Sequence, residues 1–284
     1  MSNNLILNRL FTIATFQKLI SATDSNIYLK IVDRYVDTKT AHTNGEAIEQ
    51  VYNYLRKQYR NQYYYKNTIL NKLLLGVHSI NTTTALTEVA ISTSKADFVL
   101  INGKAVVYEI KTELDNLERL EGQINDYYKA FDHICVLTCD EYASVLQKRF
   151  SESNVGIYVL TKNETIKRIK EPTRCDSFID SNVVFKILNK PEFENILLEY
   201  YGELPITSQV KFYSTCRDWF LQIPKEEAYK LFLKVLKERN AVEDKRKFES
   251  VPYELKSLAY FSQYCGCDYE NLEHFLADKI GGGI

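Results

Sequence analysis

No stretch of the sequence approaches the roughly 20 consecutive apolar residues that cross a bilayer. Its beginning, Met1-Ser2-Asn3-Asn4, lacks the basic segment and apolar run of a secretion signal. A cytoplasmic protein with no membrane partner is therefore expected. Net charge is nearly missing too: 36 Lys and Arg against 37 Asp and Glu leave a formal charge of -1. That balance excludes long-range attraction of the whole molecule to nucleic acid or to an anionic membrane, so any polyanion has to be met by a local patch. The six cysteines (Cys135, Cys139, Cys175, Cys216, Cys265, Cys267) are scattered and are expected as thiols in a reducing compartment. Cys265-Gly266-Cys267 is one residue tighter than the usual zinc knuckle and has only His274 nearby, so the pair is read as structural. The four histidines (His42, His78, His133, His274) show no ligand spacing. Internal repeats and low-complexity segments are also absent. What is present is an ordinary globular composition, 45% apolar and 26% charged over 284 residues, enough for one large domain or two modest ones.

Three regions differ in pattern. Residues 1–76 carry apolar positions such as Ile48, Val51 and Leu55 at helical spacing, and Thr43 with Glu46 has capping-box spacing, which predicts an N-terminal helical segment. Residues 77–172 turn to short β-branched runs: Thr87 to Ile91, Phe98 to Ile101, Ala105 to Ile110, Ile134 to Thr138 and Val155 to Leu160. A long helix from Leu114 to Phe131 and a shorter one from Glu141 to Phe150 separate the later runs. Strands interleaved with helices after an antiparallel opening predict an α/β core, a mixed central β-sheet flanked by helices. Residues 173–284 read as an all-helical C-terminal domain of about five amphipathic helices, broken near Gly202, Pro224, Pro252 and Gly266.

The chemically informative stretch centres on Tyr108-Glu109-Ile110-Lys111, at the end of an apolar strand. Alternate residues of a strand share a face, so Glu109 and Lys111 leave the sheet side by side. Asp97 begins the preceding strand, and the intervening Asn102-Gly103 marks a hairpin whose loop length decides the pairing. A two-residue loop sets Asp97 opposite Tyr108 and puts Glu109 on the far face. A three-residue loop of Asn102, Gly103 and Lys104, with Gly103 at positive φ, sets Asp97 opposite Glu109. Glu88 on the first strand is a further carboxylate for the same point. Converging carboxylates call for a cation, and hard oxygen ligands suit Mg²⁺ or Mn²⁺.

This arrangement of Asp97, then Glu109-Ile110-Lys111 on the next strand, then a helix, resembles the core of the PD-(D/E)XK, or restriction-endonuclease-like, nuclease superfamily. The run from Glu109 to Gln123 is similar to an uncharacterised bacterial branch carrying E-I-K-[S/T]-x-x-D-x-x-x-R-L-x-x-Q. The resemblance covers roughly Thr84 to Leu160, and Ala96 replaces the proline of the motif's name. It implies that Asp97, Glu109 and the Ile110 carbonyl hold the divalent metal and that Lys111 aids the attacking water. Many members add a glutamate from the helix before the sheet. Glu46 and Glu49 are candidates for that role, with Glu88 as a rival. The implied activity is endonucleolytic hydrolysis of DNA, in defence against foreign DNA, with RNA and a homodimer left open.

The helix after Lys111 carries an apolar stripe (Leu117, Leu120, Ile124, Tyr127 or Tyr128, Phe131) and a polar line of Asp115, Arg119 and Gln123. A solvated face explains such a line in an arbitrary helix. The resemblance marks the same three positions, Arg119 as a phosphate contact and Gln123 as a group orienting the scissile phosphate or the water. Upstream, Arg56 to Asn67 mixes basic and aromatic residues as single-strand binding grooves do, which makes Lys66 and Asn67 candidates for the phosphate path. Aromatics at that spacing more often fill a core. The rival to the enzyme is a non-catalytic nucleic-acid- or protein-binding module in which Glu109 and Lys111 merely pair as ions.

Overall fold

The capping and alternation signals become elements in the computed structural model, which describes residues 4–239 and 242–282. The start that was read for a secretion signal, Met1 to Asn3, lies outside the described residues. Helices α1 (Leu7–Leu10), α2 (Ile13–Ile20), α3 (Asn26–Tyr35), α4 (Asn44–Gln58) and α5 (Gln62–Ile69) form the N-terminal segment. α4 opens on the expected capping box. The Thr43 hydroxyl accepts from the Glu46 N–H at 3.2 Å, and the Glu46 carboxylate accepts from the Thr43 N–H at 3.1 Å.

Strands β1 (Thr84–Ile91), β2 (Ser94–Asn102) and β3 (Lys104–Lys111) follow. Next come α6 (Leu120–Tyr128), β4 (His133–Thr138), α7 (Asp140–Arg149), β5 (Gly156–Leu160) and β6 (Ile166–Lys170). The sheet runs β1-β2-β3-β4-β5-β6, with β3, β4 and β5 parallel and the remaining neighbours antiparallel. This is the expected α/β architecture, a mixed sheet flanked by helices. β6 (Ile-Lys-Arg-Ile-Lys) was not among the predicted strands. Its Lys167 and Arg168 are exposed, so as an edge strand it lacks the β-branched, half-buried signature.

Among the described residues, the α-helices that follow are α8 (Ser181–Ile187), α9 (Lys190–Tyr201), α10 (Gln209–Phe220), α11 (Lys225–Lys237), α12 (Lys245–Ser250), α13 (Lys256–Ser262) and α14 (Gly266–Ala277). The chain forms two compact units that cut across the three-segment division. One takes Asn81–Lys111 and Asp115–Arg239, so the sheet shares its core with α8 to α11. Val99, Val107, Val136 and Ile157 of the strands join Leu120, Ile124, Phe185, Ile196, Phe220 and Phe232 of the helices in that core. Each such side chain contributes about 1.5–3 kcal/mol by leaving water. The other unit joins the N-terminal helices to α12–α14 and takes in Thr112–Leu114. In it, Asn44 Nδ2 donates to the Phe275 carbonyl at 2.9 Å and Tyr28 donates to Asn44 Oδ1 at 2.7 Å.

Candidate active site

The hairpin takes the longer loop. Asn102 faces Lys104 across Gly103, whose φ is +70°, and Phe98 faces Tyr108. Continued one step beyond that last pair, the register would set Asp97 opposite Glu109. Along β3, Val107, Glu109 and Lys111 alternate onto the face that α6 covers, where Val107 joins the core. The acidic and basic side chains therefore end an otherwise apolar face. Asp97, Glu109 and Lys111 are 9%, 1% and 9% exposed, a degree of burial that charged groups reach only with partners.

Those partners are specific. Asp97 Oδ2 accepts from the Ile110 N–H at 2.9 Å, which ties the β2 carboxylate to the backbone between Glu109 and Lys111. Lys111 Nζ lies 2.9 Å from Glu109 Oε1 and donates to Gln123 Oε1 at 2.9 Å. The Tyr127 hydroxyl lies 2.6 Å from Glu109 Oε2 and 2.9 Å from the Lys95 carbonyl. Burial pushes the Tyr127 phenol far above its usual range and the Glu109 charge adds to this, so the hydroxyl stays a donor. Thr138 donates to the Lys111 carbonyl at 2.9 Å, pinning the end of β3 to β4. By formal charge, two carboxylates against one ammonium leave one negative charge in excess. The carboxylates are oxygen donors of the kind that hard divalent cations take.

The remaining predicted residues fare differently. Glu88 has φ of +56°, and its carboxylate, about half exposed, pairs with Lys95 at 3.5 Å. The predicted helix from Leu114 starts only at Leu120, because short side chains capture the backbone first. Thr112 Oγ1 accepts from the Leu114 N–H at 3.1 Å, and Asn116 Oδ1 accepts from the Glu118 N–H at 3.2 Å. The polar line is thereby broken: Gln123 is on the helix, Arg119 is its exposed N-cap, and Asp115 lies in the connection. The Asp115 carbonyl accepts from Tyr142 at 2.6 Å.

Lys66, Asn67, Glu46 and Glu49 belong to the other unit. Asn67 is fully buried: its amide donates to Tyr52 Oη and the Tyr253 carbonyl at 2.9 Å each and accepts from the Ser257 N–H at 2.9 Å. Both ends of that amide hold the helices together, which corrects its reading as a phosphate contact. Lys66 is half-buried on α5, and Tyr64 and Tyr65 are core residues. Arg60 lies over both their rings, 5.4 and 5.2 Å from the centroids, and pairs with Glu113 at 3.1 Å. Within this stretch Tyr64, Tyr65 and Asn67 belong to the core, whereas Arg56 and Lys57 are exposed. Glu46 caps α4, where N–H groups of His42 and Thr43 hold its carboxyl below the usual range, and Glu49 is exposed on the same helix.

Sequence reasoning placed Tyr127 only in the apolar stripe and missed its hydroxyl. Its spacing of four from Gln123 was the available signal, since it sets both on the turn facing β3.

Among known proteins, Protein cII of Enterobacteria phage P4 is 30% identical over 108 residues, which is 37% of this chain and 40% of that protein. A solved protein of unknown function from Silicibacter pomeroyi aligns with 45% of this chain and 87% of its own length at 10% identity. Its TM-score of 0.29 is too low to carry an argument about fold. The family profile described as Bacteriophage P4 protein cII matches residues 55–258. That span takes in the whole sheet, the buried carboxylates and most of the flanking helices, and on it the chain belongs to the phage P4 protein cII family.

Proposed function

We propose that the chain is a divalent-metal-dependent nuclease that hydrolyses phosphodiester bonds, with DNA as the first substrate to test. The observation that carries this reading is the buried cluster in which Asp97 Oδ2 accepts from the Ile110 N–H at 2.9 Å while the Lys111 ammonium lies 2.9 Å from the Glu109 carboxylate. The resemblance of Asp97 and Glu109-Ile110-Lys111 to the PD-(D/E)XK pattern supports it. Asp97, Glu109 and the Ile110 carbonyl would hold Mg²⁺ or Mn²⁺, which when bound supplies Lewis acidity at a phosphoryl oxygen. Lys111 offers a fixed positive charge to the attacking water and to the charge growing on phosphorus-bound oxygen. Gln123 fixes the direction of that ammonium, and Tyr127 fixes the Glu109 carboxylate by its second oxygen. Arg119, exposed at the start of α6, would take a flanking phosphate.

The closed Glu109–Lys111 pair equally suits a binding module without catalysis, and one assay separates the two. The purified chain is incubated with plasmid, linear and single-stranded DNA and with RNA, under Mg²⁺, Mn²⁺ or chelator, beside Lys111→Ala. Cleavage that needs the metal and disappears in the variant is expected. Cleavage that survives both chelation and Lys111→Ala refutes the mechanism, and binding without cleavage on all substrates favours the module.

A further inference from the structure

Three of the cysteines are core residues: Cys135, Cys139 and Cys216 are fully buried, where a thiol behaves as a small apolar group. Cys265 and Cys267 do not fit that account. Both are exposed, and their sulfurs face each other at 2.9 Å at the start of α14. A third donor joins them: Asp268 Oδ2 lies 3.0 Å from Cys265 Sγ, and the three ligand atoms sit within 4.8 Å of one another. The carboxylate is held there from two other directions. Gln17 Nε2 donates to its Oδ1 at 3.0 Å, and the Cys265 N–H donates to its Oδ2 at 2.9 Å. Apolar burial explains none of this.

We infer that Cys265, Cys267 and Asp268 form a binding site for a thiophilic divalent cation of the Zn²⁺ class, separate from the carboxylates of the sheet. Thiolate sulfur selects Zn²⁺ and its softer relatives over Mg²⁺, and a carboxylate oxygen is an accepted third ligand. With Zn–S bonds of about 2.3 Å, tetrahedral coordination sets two sulfurs about 3.8 Å apart. The pair therefore has to open by roughly 0.9 Å, which rotation about the Cα–Cβ bonds of two exposed side chains supplies. Two sulfurs and one oxygen leave the fourth position to water or to a donor from a bound molecule. Such an open site is tighter in spacing than a two-residue knuckle and escapes a search for that pattern.

The probe is Cd²⁺, because its bond to thiolate sulfur gives an ultraviolet charge-transfer band that carboxylates cannot give. The reduced, full-length chain is titrated with Cd²⁺ and then with Zn²⁺ as competitor, beside Cys265→Ser, Cys267→Ser, Asp268→Asn and Glu109→Gln. One cadmium per chain with a thiolate band is expected, displaced by Zn²⁺. The band should vanish in either serine variant, binding should weaken at least about tenfold in Asp268→Asn, and Glu109→Gln should keep the band. In the unaltered protein, Zn²⁺ should also shield both cysteines from alkylation mapped by mass spectrometry, a readout that needs no variant to fold. No band at saturating Cd²⁺, a band that persists in both serine variants, or alkylation unaffected by Zn²⁺ overturns the proposal. A Cys265–Cys267 disulfide formed with glutathione disulfide in a chain that binds no metal overturns it too.

Discussion

Replacing Lys111 alone should cost far more stability than replacing it together with Glu109. The two side chains are 11% and 1% exposed and 2.9 Å apart, so Lys111→Met strands a carboxylate at the end of an apolar face. Removing one partner of such a pair costs about 3–5 kcal/mol, whereas replacing both by groups of similar shape is close to neutral. Glu109→Gln should cost less than Lys111→Met, because the Gln carbonyl can still accept from Lys111 while its amide N–H₂ faces the Tyr127 hydroxyl, which keeps the Lys95 carbonyl as acceptor. The double variant should return to within about 1–2 kcal/mol of the unaltered protein, for a coupling of at least about 1.5 kcal/mol. Urea unfolding of the four proteins at neutral pH reads this through the fluorescence of the one tryptophan, Trp219, which lies on α10 in the same unit as the sheet. Additivity of the two single losses to within about 0.5 kcal/mol would refute the buried pair.

Asp126 accepts from the Thr93 hydroxyl at 2.7 Å, the Ser94 hydroxyl at 2.8 Å and Lys129 at 2.7 Å. Burial pushes its carboxyl up, but these donors outweigh that and hold it at about 2. The folded value lies below the unfolded one near 3.9, so this stability is present above about pH 4 and lost as the pH falls toward 2. Asp126→Asn should remove at most about 2 kcal/mol at neutral pH and flatten the acid limb of the unfolding profile between those values. In Gly156→Ala, the new Cβ would stand 2.6 Å from Pro172 Cδ and 2.7 Å from the Pro172 nitrogen in a buried strand. A loss of about 2 kcal/mol or more is expected as a lower melting temperature. Asn67→Ala leaves Tyr52, Tyr253 and Ser257 short of partners and should cost about 2–3 kcal/mol with nucleic-acid affinity unchanged. A drop in affinity at full stability would restore Asn67 to the phosphate path.

Strands β1 to β5 were legible because they alternate or run apolar between turn residues, and the hairpin register could be argued from one loop, Asn102-Gly103-Lys104. Local hydrogen bonds that compete with helix were less visible. Thr112 and Asn116 delay α6 by about six residues, and the apolar spacing of Leu117 and Leu120 hid this because it is helical either way. The unit boundary was unreadable in the sequence, since amphipathic helices before and after residue 240 look alike and only packing tells which core each one joins. Asn67 misled for the same reason that Tyr127 was overlooked. A side chain's type fixes what it can bond to, but its partners lie far away in the chain.

The open sheet has two rims, and each is unsuited to receiving another strand. On one rim, the left-handed backbone of Glu88 interrupts β1 in mid-run. On the other, five-residue β6 carries Lys167, Arg168 and Lys170. A growing fibril or a strand-swapped pair needs a long, flat, uncharged border. Copies of this protein that do associate are therefore left to dock through side chains, and main-chain zippering at the rims is discouraged, at β6 by the same charged residues that hid that strand in the sequence.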